Sequence, residues 1–200
     1  MKYFLNFILL LSILSCAQNK QTLQGDTEFQ RNMNSDFKDV TKTPLKIKDR
    51  KSFKGLDFFK FDSTYVVKAS FERTPDEIPF KMKSTTDRMP MYVKYGVATF
   101  ELEGQEHQLN IYQSLDLMDE EGFEDYLFLP FLDTTNGDST YGGGRYIDCK
   151  LPSNGFIDID FNTAYNPYCA YNEKYSCPIV PRENYLNVKV EAGLKDFKKE

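Results

Sequence analysis

Histidine is nearly absent: His107 is the single one in 200 residues. That excludes zinc sites built from several imidazoles and leaves a serine or cysteine hydrolase one possible base. His107 alternates with Leu109 and Ile111, so the three share one face of a strand, the usual setting of a packed histidine. A run of about 20 apolar residues is also missing, so no membrane-spanning helix is encoded. Basic clusters are missing too. With 25 Lys and Arg against 30 Asp and Glu, and no basic and aromatic stripe, nucleic acid is excluded as a partner. The glycine run at 142–144 lacks the lysine and helix of a phosphate loop, and no strong hydrolase, kinase or dinucleotide motif appears. No cofactor and no metal site is implied.

What is present begins with an address. Met1, Lys2 and Tyr3 lead into an apolar run from Phe4 to Leu14, broken by Asn6 and Ser12, which is the layout of a signal peptide. Ile13-Leu14-Ser15-Cys16 resembles the bacterial lipobox, so residues 1–15 are expected to be removed and Cys16 to be acylated. The alternative is an ordinary secretory signal with an incidental cysteine. Several acyl chains anchor permanently, because each buried methylene contributes about 0.8 kcal/mol. The expected place is the cell envelope, lipid-anchored to a membrane, with the outer membrane the expected one and its face left open. Residues 16–25 then form anchor and tether, and residues 26–200 a single β-rich domain. Its 15% aromatic content suffices for one core.

The polar tether gives way to Glu28–Val40, where Phe29, Met33, Phe37 and Val40 recur at helical spacing. This is an N-terminal amphipathic helix with Asp26 or Thr27 as its cap and Pro44 as its limit. Its apolar face is expected to pack on the domain, or alternatively to meet a partner or membrane surface. From Phe53 the period changes to that of strands. Strands are expected at Phe58–Phe61, Tyr65–Phe71, Tyr92–Leu102, His107–Tyr112, Tyr126–Leu132, Thr140–Cys149, Phe156–Phe161 and Leu186–Glu191. Residues 103–106 read as the turn of a hairpin. Closely spaced strands without intervening helices make the chain mainly β, an antiparallel β-sandwich or barrel-like domain.

Three motifs lie in the last third of the chain: DTTNGDSTYGGGRY over 133–146, DFNTAYNPYCAYN over 160–172, and Cys177-Pro178 followed by PRENYL over 181–186. In combination they resemble the domain-of-unknown-function 1684 family, including its short bacterial lipoprotein members. The resemblance implies a family and a fold, and brings no catalytic residue with it.

The residues themselves suggest more. Arg145 and Asp160 are charges in or beside strands, where a lone charge is costly. Either they pair, with each other or elsewhere, or Arg145 anchors an anionic ligand. Asp133 to Gly137 reads as a turn, and a calcium loop there lacks the expected spacing. Three glycines in succession call for a strand bulge or a close approach. Asn162 to Asn184 has no sustained period and needs a staple or a function. Cys169 and Cys177 could supply the staple as a disulfide in an oxidising compartment, with Cys149 the odd thiol, or one of them could be a nucleophile. More than half of the 13 tyrosines crowd this region.

The candidate binding residues are therefore Asp133, Arg145, Asp160, Asn162, Tyr165, Asn166 and Tyr171. The leading expectation is a non-catalytic lipoprotein that uses this aromatic and asparagine-rich loop to bind a small molecule or an envelope protein partner. The alternative is an envelope hydrolase with its site around Asp133, Arg145, Asp160 and Cys169. A third reading is a structural envelope component that interacts through the N-terminal helix.

Overall fold

The computed structural model describes residues 25–197; the signal segment and Cys16 lie outside them. Thr27 is extended, and its Oγ1 accepts the Gln30 N–H at 3.2 Å, which starts helix α1 (Glu28–Lys38). The helix stops short of Val40. Asp39 Oδ1 instead accepts the Thr41 N–H at 2.8 Å and its hydroxyl at 2.7 Å, a local turn that competes with another helical bond. A second short helix, α2, covers Ile47–Arg50. Among the described residues no helix is long and apolar enough to cross a membrane.

Eight strands follow: β1 (Val66–Arg73), β2 (Phe80–Lys81), β3 (Met91–Leu102), β4 (Gln105–Ser114), β5 (Tyr126–Asp133), β6 (Arg145–Lys150), β7 (Phe156–Asp160) and β8 (Tyr185–Leu186). They form an antiparallel sheet in the order β6-β5-β4-β3-β1-β7, with β2 on β3 and β8 parallel to β5. The sheet curls into a half-barrel. Its two end strands, β6 and β7, are tied only just beyond β7, where Tyr146 and Tyr165 exchange two backbone bonds of 2.9 Å. The fold is thus mainly β and barrel-like.

Alternation decides which side chains fill the interior. Phe100, Leu109, Ile111, Leu127, Leu129, Phe131, Ile147, Ile157 and Ile159 form the inner core. Strand β5 is buried on its outer side as well, where Phe128 packs with Tyr92, Tyr112 and Tyr146 beneath Met82 and Val180. The β3–β4 hairpin closes through two residues, Glu103 and Gly104, with φ of 51° and 73°. This left-handed pair matches strand twist, so Gln105 and Glu106 join β4 rather than the turn.

Three expected strands differ, and one strand is additional. Residues 140–144 are no part of β6: the Gly144 N–H bonds the Tyr141 carbonyl in a turn, with φ +87° at Gly144. A Cβ at Gly144 would lie 2.7 Å from the Phe131 carbonyl oxygen, so the last of the three glycines answers to a close approach. Beyond Leu186 the chain leaves the sheet, and Val190 and Ala192 enter the inner core. Phe58 makes only an isolated bridge to Leu194, and β2 was not foreseen.

Two polar devices hold the half-barrel. The first is Arg145, whose side chain is fully buried with that of Asp133; Nη2 donates to Asp133 Oδ2 at 2.8 Å. Arg145 also donates to the carbonyls of Val190, at 2.8 Å, and Ala192. Asp133 Oδ1 in turn accepts the Thr135 N–H and hydroxyl at 2.8 and 2.6 Å. The second is Asn184. Pro130 brings no N–H to β5, and β4 pairs with β5 only at Tyr112 and Phe128. Asn184 fills the gap: Nδ2 donates to the carbonyls of Asn110 and Pro130 at 2.8 and 2.7 Å, and Oδ1 accepts the Asn110 N–H at 3.0 Å.

Removing one partner of a buried ion pair leaves the other charge uncompensated, so Asp133→Ala is expected to lower unfolding free energy by about 3–5 kcal/mol. Asn184→Ala strands buried backbone groups and should cost about 2 kcal/mol or more. Urea titration of each variant measures both; a loss below about 1 kcal/mol for Asp133→Ala would show that the pair is not what holds the interior.

Candidate functional site

Helix α1 docks by an unexpected face. Gln30 and Asn34, one turn apart, are the residues it buries along with Phe37. Gln30 Oε1 accepts the Asp26 N–H at 2.7 Å; Asn34 Oδ1 accepts the Leu56 N–H at 2.7 Å and its Nδ2 donates to the Gln30 carbonyl at 3.1 Å. Phe37 packs edge-on against Tyr171 with ring centroids 4.8 Å apart. The polar pair fixes the helix rotation. Phe29 and Met33, the rest of the apolar stripe, are left half-covered on the wall of a cleft of about 450 Å³.

The opposite wall is the outer surface of β5 and β6. Strand alternation sends Ile147 and Cys149 inward and turns Tyr146 and Asp148 out, beside Tyr126 of β5. The loop after β7 supplies Tyr165, Pro167, Tyr168 and Cys177, and Phe123 closes one end from the acidic turn. Asp148 Oδ1 accepts the phenol hydroxyls of Tyr126 at 3.0 Å and Tyr165 at 2.7 Å. Burial, and then the Asp148 carboxylate, push both phenols well above their ordinary range, so both remain donors at neutral pH. The Tyr146 hydroxyl donates to the Pro178 carbonyl and holds the loop over the sheet.

The cysteines among the described residues, Cys149, Cys169 and Cys177, are free thiols, and two of them are neighbours. The Cys169 N–H donates to Cys177 Sγ at 3.1 Å, and the Cys177 N–H donates to Thr85 Oγ1 at 3.1 Å. The Cys177 thiol beside it, with further help from Tyr141 and Thr85, holds Cys169 below the ordinary thiol range against the opposing effect of burial. Cys177 is displaced upward by the same contact, and burial pushes Cys149 up to about 12. His107 is elsewhere, on β4, its ring 5.9 Å from Phe100.

Of the residues singled out from sequence, Tyr165 lines the cleft and Cys177 forms part of its loop wall. Arg145 pairs with Asp133 rather than Asp160, and both are sealed in the interior. Asp160 accepts the Asn162 N–H at 2.9 Å and caps a single helical turn. Asn162 reaches across to Asp62, accepting its N–H at 3.0 Å and donating to its carbonyl at 2.9 Å. Asn166 donates to the Lys195 carbonyl at 2.8 Å, and Tyr171 is buried beneath α1. Asp133, Asp160 and Cys169 therefore do not converge on one site. Sequence reasoning missed Asp148 and Tyr126, although their outward places follow from alternation. It also assigned the helix's apolar face to packing, which holds for Phe37 and in part for Met33, while Phe29 lines the cleft.

A family model described as "Protein of unknown function (DUF1684)" matches residues 51–195. The chain belongs to this family. Its structure is similar to the solution NMR structure of an uncharacterized protein from Haloarcula marismortui, with 31% identity, a TM-score of 0.66, and coverage of 83% of this chain and 89% of that one. No curated protein matches the sequence. Helix α1 precedes the matched DUF1684 residues, so the cleft joins a DUF1684 sheet and loop to a wall from outside that span.

Within the DUF1684 region the thiols should be distinguishable. A lowered pKa keeps thiolate populated as pH falls toward neutrality, where an ordinary thiol of pKa about 8.5 is mostly protonated. In the reduced protein, iodoacetamide should label Cys169 first, with a rate that persists below pH 8, while Cys149 stays unlabelled until unfolding. Peptide mass spectrometry across a pH series reads this. Equal rates at the two positions would contradict the geometry.

Proposed function

We propose that this DUF1684 protein is a non-catalytic, lipid-anchored protein of the cell envelope that binds a small molecule in the aromatic cleft between α1, the outer face of β5–β6 and the loop after β7. One observation carries the binding reading. A helix normally buries its whole apolar stripe, whereas α1 fully buries only Phe37 of it, beside Gln30 and Asn34, and leaves Phe29 and Met33 half-exposed on the cleft wall, with Met33 also touching the core beneath. The cleft volume of about 450 Å³ suits a small organic ligand, and aromatic walls with a few placed polar groups are the common construction of such sites. The lipobox-like Ile13-Leu14-Ser15-Cys16 supports the anchor, and an outer membrane location is the simplest destination.

Export also bears on the thiols. Cys169 and Cys177 are adjacent enough to join by exchange with an external disulfide, giving up two protons and passing two electrons to that disulfide. The bond would fix the loop that carries Tyr165 and Tyr168. It would also remove the thiol on which a nucleophilic reading depends.

Ligand-observed NMR against a set of small organic solutes tests the binding reading. Met33→Trp, which fills the cleft from the helix, is expected to abolish the interactions seen with the wild type while the melting temperature is retained. Solutes that bind both proteins equally would place any binding outside the cleft. For the anchor, cells fed labelled palmitate should incorporate label into the wild type and none into Cys16→Ser; label in both would refute acylation at Cys16.

A further inference from the structure

We propose that the ligand of the cleft is a small organic cation bearing a substituted ammonium group, a deepening that rests on the small-molecule reading above. The charge of the lining is one-sided: it includes Asp36 and Asp148 and no lysine, arginine or histidine. Asp36 already has a cation, since Lys42 Nζ lies 2.7 Å from its Oδ1. Asp148 has none among the described residues. Its Oδ1 is held by two phenols, and Oδ2 has no protein donor. The result is an exposed carboxylate held by two tyrosines at the edge of an aromatic cleft.

Other ligand classes fit less well. An anion would meet uncompensated negative charge. A sugar needs several free donors and acceptors. The hydroxyls of Tyr126 and Tyr165 are committed to Asp148, that of Tyr146 to Pro178, and that of Ser176 to Ser84 and Thr86, which leaves the Tyr168 phenol as the lining hydroxyl open to a ligand. A metal ion needs a shell of oxygen ligands, and the cleft offers one available carboxylate. A substituted ammonium needs neither: its alkyl surface is compatible with Phe29, Met33 and Phe123, its charge is attracted by ring faces, and one carboxylate balances it.

The test titrates the full chain by calorimetry with choline and with the neutral alcohol in which a tert-butyl group replaces the trimethylammonium head. The pair share size and shape. Choline is expected to bind about fivefold more tightly than the alcohol, from the attraction of the ring faces at an exposed site together with the carboxylate. Asp148→Asn keeps an oxygen for both phenols and should erase that preference; Asp36→Asn should leave it in place because Lys42 already neutralises Asp36. Equal binding of the two ligands by the wild type overturns the cation proposal and leaves the cleft reading standing. A preference that survives Asp148→Asn likewise overturns it. Binding of neither ligand, together with no solute lost on Met33→Trp, removes the small-molecule reading itself. Should Asp148→Asn not fold, the wild-type comparison alone decides.

Discussion

The structure depends on one buried ion pair. Arg145 stands at the first position of β6 and points inward, where an uncompensated guanidinium would be ruinous. Asp133, at the end of β5, neutralises it, and two carbonyls of the chain's last segment take further donors. The pair therefore joins the two ends of the β5–β6 connection to a segment some 45 residues further on. It also explains its surroundings. Gly144 must be small and left-handed to deliver Arg145 at this angle over Phe131, and Thr135 must cap the other Asp133 oxygen. A hydrophobic replacement of the pair could fill the same volume, but it would not fix where residues 190–192 lie.

Side-chain amides perform the same task at the edges. Asn184 stands in for the ladder that Pro130 interrupts, Asn162 joins the turn after β7 to Asp62, and Asn34 receives the backbone of Leu56. Each bonds backbone as another strand would, while occupying a single residue. This is why the long stretch after β7 keeps a defined path without regular structure, and why α1 has a fixed rotation before any cleft residue is considered.

Much of the sheet was legible because its signal is local. The period of two in Val93–Leu102 and His107–Tyr112, a turn within residues 103–106 and a helix cap at Asp26 or Thr27 are decided by neighbours within a few residues. The partner of Arg145 was not legible: Asp133 and Asp160 are both carboxylates near strand ends, and only the fold separates them. The glycine run signalled a bulge or a close approach, and the approach is to Phe131, but its place in a turn rather than a strand depends on that distant partner. For α1 the apolar stripe packs on the domain as expected at Phe37 and in part at Met33, but the stripe is not the whole of the buried face. Periodicity identifies a face that prefers to leave water, but it does not reveal that two amides on another face have stronger claims on the protein.

These constraints also determine where a ligand can go. Barrels that bind small molecules commonly enclose them, which requires an interior left partly empty. Here the interior of a six-strand path is filled by aliphatic and aromatic side chains, by Arg145, and by the segment containing Val190 and Ala192. The cleft with the aromatic lining lies instead on the outer face. That face is unusually aromatic because β5 is apolar on both sides and needs cover. The loop after β7 covers one part, pinned by Tyr146 to Pro178, and α1 stands over the next. The cleft is the portion between them that neither covers, and Asp148 is the charge that strand alternation leaves facing it.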